Sequence, residues 1–359
     1  MPALRVPVIP NSPLKTITDK QEFGLIKLRT NSSLGFVENV EFDPEIAKYD
    51  DGYQNSQAHS PLFLRHMKNV LELLKSQFPR GSRIVEVGCG KGSFIDLVEA
   101  DQYFRITGYD ATYEGSNPSI FKRYLTTGDE LQADVIVLRH VLEHIQVPQV
   151  FLAMLKGIFG SGKIYIEVPN YDWIVSNFTF FDITYEHVNY FSQQALAALF
   201  DDERKKSGLL FGEQYQYLIA DINLLSSNFD VEYAGNNWRD LDFEVLFPNI
   251  SEKMLTIENQ LAAGGKLYVW GAATKGCMFL IHCVNRGRLI NRIGFAVDLN
   301  PQKCGKFLPG SLVAIRPKED LFNVVRDVDV LLISNPNYKD EILLELSNYG
   351  LSKLKTIVL

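Results

Sequence analysis

Between residues 61 and 78 the apolar positions Leu62, Phe63, Met67, Val70, Leu71 and Leu74 recur at intervals of three and four, which predicts a helix with one buried face. Beyond it the period changes. Short β-branched runs closed by Gly, Asp or Asn predict strands over 83–87, 104–109, 134–138 and 163–168, and helices are predicted from Ser93 and from Val147. This is the βαβ pattern of a parallel, doubly wound sheet. Residues 209–225 predict two further strands that close the sheet edge antiparallel. Residues 236–249 are turn-rich and aromatic, and 251–262 predicts a helix that stops at Gly264-Gly265. From Lys266 the alternation restarts: LYVWGAATKG, a helix over 278–284, strands at 293–297 and 329–333, a helix from Lys339 and a terminal strand. The expected fold is α/β: a doubly wound, Rossmann-like domain over 61–235, a linker and helix over 236–265, and a second, smaller Rossmann-like domain over 266–359. Residues 1–60 hold prolines and only short apolar runs, so an arm lying across the surface is expected there.

A length of 359 residues fits two such cores. The net charge of −7 argues against general affinity for nucleic-acid backbones, which needs a basic face. The four cysteines, Cys89, Cys277, Cys283 and Cys304, form no C-x-x-C pair and read as reduced, structural thiols. No signal peptide and no long apolar run is apparent, so no membrane association and a cytoplasmic location are expected.

The strand RIVEV runs directly into GCGKGSF, which sets Glu86, Gly88, Gly90 and Gly92 at a strand-to-helix turn. Glycines there let backbone approach a ligand and present N–H groups at a helix N-terminus. The next strand ends at Asp110, where a carboxylate can accept ribose hydroxyls. Together they specify a nucleoside site. The spacing departs from the dinucleotide fingerprint G-x-G-x-x-G, and Glu86 suits a ligand bearing an amino acid and a sulfonium better than a pyrophosphate. S-adenosylmethionine is therefore the expected cofactor and S-adenosylhomocysteine its product; NAD is disfavoured. In VLRHVLEHI, the residues Arg139, His140, Glu143 and His144 follow a strand. Two histidines four apart can share a helix face and bind metal, but no third ligand is evident, and His140, Glu143 and His144 are assigned to the cofactor pocket wall.

These residues resemble a known family, the sugar C-methyltransferases that act on nucleotide-linked deoxyketosugars, over nearly the whole chain. YDDGYQNSQAHS (49–60) looks like the family's lip over the cofactor, with Tyr53, Gln57 and Ser60. FDITYEHVNYFS (181–192) is similar to a family signature ending in Glu-His, then an aromatic and Ser, although Thr184 stands where a tyrosine is usual and the tyrosine is Tyr185. VWGAATKG (269–276) and DLNPQKCGKFLPG (298–310) look like the family's C-terminal Rossmann-like domain. Family members usually begin with a small zinc-binding domain; LRTNSSLGFVEN (28–39) has Asn31 and Leu34 where cysteines would stand, so a metal-free remnant, and no metal, is expected.

The resemblance implies a class I methyltransferase acting in deoxysugar biosynthesis on a small molecule, a nucleotide-linked sugar. Carbon methylation requires removing a proton beside a carbonyl. Histidine, with an ordinary pKa of about 6.5, suits that task, and His187 matches the family's base. Glu186 would orient it and Tyr53 would hydrogen-bond the enolate oxygen. Substrate contacts are expected from Tyr185, Asn189, Lys275 and Asn335. GAATKG presents Lys275 and backbone amides that could meet a phosphate, or glycines that merely permit tight packing. Methylation of oxygen or nitrogen on another small molecule, or a non-catalytic cofactor-binding protein, are the alternatives left open by the residues.

Overall fold

The computed structural model describes residues 4–47, 60–261 and 263–359. Its N-terminal segment forms two hairpins: β1 (Leu4–Pro7) pairs antiparallel with β2 (Phe23–Ile26), and β3 (Leu28–Asn31) with β4 (Phe36–Asn39). Helix Pro61–Gln77 follows, capped by Ser60, with Phe63, His66, Met67, Val70, Leu71 and Leu74 on its buried face. The first α/β domain then lays down β5 (Arg83–Val87), β6 (Arg105–Tyr109), β7 (Ile120–Phe121), β8 (Val135–Arg139) and β9 (Lys163–Pro169). A short strand, β10 (Asn189–Phe191), leaves that sheet, and β11 (Lys206–Leu210) and β12 (Tyr215–Asp221) return to it.

The resulting seven-stranded sheet has the order β11-β12-β9-β8-β5-β6-β7. β5 to β9 run parallel, and the last two strands close the edge antiparallel as the pattern predicts. One face packs on Met67, Val70, Phe94 and Val98, the other on Leu152, Leu155, Leu196 and Phe200, so the sheet is doubly wound. The chain order reverses between β5 and β8, and a crevice at the strands' carboxyl ends follows from that topology.

After β13 (Trp238–Asp240) and helix Ile250–Gln260, the second α/β domain contains β14 (Leu267–Trp270), β15 (Ile293–Val297), β16 (Ile315–Arg316), β17 (Val330–Ile333) and β18 (Lys355–Val358). They form a parallel sheet of order β16-β15-β14-β17-β18, which reverses between β14 and β17. β16 and helix Lys318–Val324 were not evident from the pattern, because each is too short to show a period.

The N-terminal segment corrects the expectation of a surface arm. β4 and β3 form a four-stranded sheet with β10 and β13, strands far away in sequence. Val6, Val8, Ile26, Leu28 and Val37 are buried in one core with Phe180, Phe181, Ile183, Cys277 and Leu280. Each strand is only four residues long, so it offers two inward positions, and the core it completes is visible only once distant segments meet.

Asn31 and Leu34 occupy the β3–β4 turn. The Asn31 Oδ1 accepts the backbone N–H groups of Ser33 and Leu34, and its Nδ2 donates to the Glu232 carbonyl at 2.7 Å. Leu34 is buried in the apolar core. A carboxamide committed to the turn and an aliphatic side chain do not fit a zinc ion, which needs thiolate, imidazole or carboxylate donors. Packing takes over here: Phe36 meets Phe191, Phe229, Tyr233 and Trp238 edge-on.

Candidate active site

The two sheets point their reversal points at one cavity of about 350 Å³. From the first domain it is lined by Glu86, Gly88, Gly90, His140, Glu143, His144, Glu186 and His187. From the second come Gly271, Lys275, Asp298, Lys303, Asn335 and Glu341. A single chamber therefore joins the glycine turn to the crevice of the second domain.

The glycine turn is built by backbone geometry. Gly88, Gly90 and Gly92 all have positive φ, at 75°, 57° and 81°. A Cβ at Gly88 would strike Val141, whereas one at Gly90 would meet no atom of the described residues within 4 Å. Gly92 caps helix Ser93–Asp101 in a left-handed conformation rather than lining the chamber. Asp110 holds the turn shut: Oδ2 accepts the Gly90 N–H at 2.8 Å, and Oδ1 accepts the Thr112 N–H and hydroxyl, both at 2.7 Å. Asp110, expected to accept ribose hydroxyls, is not among the residues that line the chamber. Glu86 is 2% exposed, and its Oε2 has no hydrogen-bond partner. Burial, countered by Arg139, raises its pKa to about 7. An orphaned carboxylate oxygen beside an open glycine cradle fits a ligand carrying an ammonium and a nucleoside, as S-adenosylmethionine does.

Beneath the turn lies a buried charge network that the sequence pattern did not reveal. Glu167, in the middle of β9, is fully buried. Its Oε1 meets His66 Nε2 at 2.6 Å and His140 Nε2 at 3.4 Å, and its Oε2 accepts from the Tyr165 hydroxyl at 2.9 Å and Arg139 Nε at 3.3 Å. Arg139 also faces Glu86 at 3.7 Å. Two signals were available in the sequence. His66 stands on the apolar stripe of its helix, and Glu167 interrupts an apolar strand; a polar residue in either place needs a partner.

His140 adopts φ 55° between β8 and the turn Leu142–His144, so His140 and His144 do not share an α-helix as the spacing suggested. Burial alone would lower the His140 pKa, but Glu143 and Glu167 outweigh it and raise the value to about 9. The folded protein thus binds this proton more tightly than the unfolded chain, whose histidine titrates near 6.5. The stabilisation is full below about pH 6.5 and is lost as pH rises through about 9. Thermal unfolding is expected to weaken between about pH 7 and 9.5, and His140→Asn to flatten that decline; an unchanged slope would show that His140 is not the group responsible.

His187 follows a short 3-10 turn, Phe180–Asp182, and lies 4.9 Å from the His144 ring, edge to face. Burial, and then His144, lower its pKa to about 3, with Glu143 opposing. This corrects the expectation of a base titrating near neutrality. The imidazole is neutral across the physiological range because the site is desolvated, and an anion forming beside it raises its proton affinity. Glu186 is buried and its carbonyl bonds His144 Nδ1 at 2.8 Å.

The remaining expected residues divide. Ser60 lines the chamber and donates to Glu341 at 3.0 Å while capping its helix. Lys275 reaches the chamber in an ion pair with Asp182. Asn335 Oδ1 accepts from Gln214 at 3.0 Å, bridging the two domains. Gly271 and Gly276 are dictated by packing: a Cβ on Gly271 would collide with Ser334, and one on Gly276 with the Gly271 carbonyl. Tyr185 and Asn189 do not line the chamber, which corrects their placement as substrate contacts. Tyr185 is buried in the core with its hydroxyl accepting from the Asp43 N–H at 2.7 Å. Asn189 donates to the Ile145 carbonyl and so holds the Leu142–His144 turn. Tyr53 and Gln57 lie outside the described residues. Among the described residues no helix is long and apolar enough to cross a membrane.

A doubly wound sheet with the glycine turn and acids of Glu86 and Asp110 defines the class I, S-adenosylmethionine-dependent methyltransferases. The comparisons agree. Residues 57–203 match the model described as Methyltransferase domain, and residues 242–359 match the C-methyltransferase C-terminal domain. The C-methyltransferase NovU of Streptomyces niveus is 24% identical over 335 residues, 84% of this chain and 77% of that protein. Among solved structures, an S-adenosylmethionine-dependent methyltransferase from Aquifex aeolicus is 15% identical, covering 49% of this chain and 100% of its own, with a TM-score of 0.36. A 1,6-didemethyltoxoflavin-N1-methyltransferase from Burkholderia thailandensis is 13% identical, covering 45% and 80%, with a TM-score of 0.32. This chain is an S-adenosylmethionine-dependent methyltransferase, and it is similar to the C-methyltransferases.

Proposed function

We propose that the enzyme methylates a carbon beside the carbonyl of a nucleotide-linked deoxyketosugar, with His187 as the base. The observation that carries this reading is the shared chamber, which His187 and Glu186 line together with the glycine turn and the crevice of the second domain. When bound, S-adenosylmethionine supplies a methyl group made electrophilic by its sulfonium. The neutral His187 imidazole would accept the α-proton, leaving the C–H electron pair on the substrate as an enolate whose α-carbon would bond to the sulfonium methyl while the C–S electron pair stays on sulfur in the departing S-adenosylhomocysteine. Glu143 is kept ionised by its histidine neighbours despite burial, so it stabilises the imidazolium as it forms. Lys275 offers a positive charge on the second-domain side, toward an anionic substrate group. Lys303, buried beside Asp298 at 3.5 Å, lies in the same crevice.

The nucleotide handle is tested by thermal unfolding with S-adenosylhomocysteine present and the diphosphates of thymidine, uridine, guanosine and cytidine added in turn. A recognised handle at about a hundred times its Kd stabilises by roughly 2.7 kcal/mol. One selective shift is expected. If S-adenosylhomocysteine stabilises and none of the four diphosphates does, the sugar-nucleotide assignment falls and the methyltransferase remains.

A further inference from the structure

The segment 140–144 lacks a third metal ligand in sequence, and the fold supplies one from elsewhere. Among the described residues, Glu143, His144 and His187 each place a donor atom within 4.8 Å of the other two, and all three line the chamber. Three details set this cluster apart. His144 Nδ1 is pinned by the Glu186 carbonyl at 2.8 Å, the way a ligating imidazole is usually held by backbone through its second nitrogen. Glu143 is 1% exposed, and among the described residues neither of its oxygens has a hydrogen-bond partner; His140 Nδ1 lies 3.4 Å from Oε1. His187 Nδ1 is buried without a hydrogen-bond partner as well.

A buried carboxylate with both oxygens unbonded is costly, and a divalent cation satisfies both oxygens at once. Two imidazoles and one carboxylate make a zinc-type donor set that leaves a fourth position open, here toward the chamber. Tetrahedral bonds of about 2.1 Å put donors about 3.4 Å apart, so the triad needs to close by roughly 1 Å. The other histidine-glutamate group, His66, His140 and Glu167, is less suited. Arg139 and Tyr165 already engage Glu167, and a dication there would face the guanidinium.

We propose that Glu143, His144 and His187 form a site for a borderline divalent cation of the zinc type, and that the bound cation takes the His187 lone pair and halts proton abstraction. Cation and substrate proton compete for one imidazole. The inhibition rests on the assignment of His187 as base, whereas the binding does not.

The test uses the full chain, stripped by chelation and held with S-adenosylhomocysteine. Zinc chloride is titrated calorimetrically, and Co²⁺ is followed by its visible absorption. One equivalent of zinc and a tetrahedral Co²⁺ spectrum are expected, with Glu143→Gln and His144→Asn each weakening zinc by more than about 10-fold. If a variant does not fold, zinc protection of His144 and His187 against diethyl pyrocarbonate, mapped in the wild-type chain, reads the same site. No zinc bound, or zinc bound equally by wild type and both variants, overturns the site. Methyl transfer that persists at saturating zinc overturns the competition. A fully active His187→Asn enzyme that no longer binds zinc would sink the base assignment while leaving the metal site standing.

Discussion

His187→Asn is expected to lower methyl transfer by about 10²–10⁴-fold while leaving S-adenosylhomocysteine binding unchanged. Asparagine keeps much of the imidazole's size and a hydrogen-bonding group, but it cannot accept a proton. The separation of effects follows from the contacts: none of those that fix the shape of the glycine turn, at Gly88, Gly90 and Asp110, involves His187 among the described residues. Single-turnover measurement with preloaded cofactor isolates the chemical step. Turnover equal to wild type would remove His187 from the mechanism, and loss of cofactor binding would assign it a structural part instead. The same experiment across pH is informative, since a wild-type base that titrates near 3 keeps kcat/KM flat through the range where an ordinary histidine would titrate.

Glu167→Gln is the second large effect, and it falls on stability. The change keeps shape and one acceptor but removes the charge that faces His66, Arg139 and His140. Breaking a buried pair by removing one partner typically costs about 3–5 kcal/mol, because the remaining charge stays buried without compensation. Part of the loss is offset here. Glu167 helps to raise the Glu86 pKa, so without it Glu86 ionises more readily and becomes the counterion of Arg139. Denaturant unfolding is therefore expected to show a loss toward the lower end of that range, and Glu86→Gln added to Glu167→Gln to cost more than the sum of the singles. A loss below about 1 kcal/mol, within the range of an exposed pair, would mean that water enters the network and screens it.

Contacts between the two domains shape the chamber. Asn335 and Gln214 bridge the domains at 3.0 Å, Asn337 donates to the Phe211 carbonyl at 2.6 Å, and Glu341 accepts from Ser60 at 3.0 Å. The wall facing the cofactor turn is thus partly made by the second domain. The chamber's shape depends on how those contacts seat the two sheets.

The sequence by itself determined the parts governed by short-range periodicity. Helix 61–77, the strands that follow it, the glycine turn and the restart of alternation after Lys266 are legible because their side-chain spacing and glycine positions repeat locally. Glu86, Gly88, Gly90, His144 and Lys275, expected beside strand ends and turns, line the chamber, as does His187, which the family resemblance singled out. Tertiary structure decided what depends on distant partners. The four-residue N-terminal strands become core only when β10 and β13 arrive beside them, and Tyr185 and Asn189 prove to support the site from behind although their neighbour His187 faces it. Glu167 and His66 look like isolated polar residues until folding places them 2.6 Å apart. The pKa of His187 likewise belongs to the fold: the sequence supplies an imidazole that titrates near 6.5, and only burial beside His144 moves it to about 3, because the cost of charging a group depends on the dielectric and the charges around it.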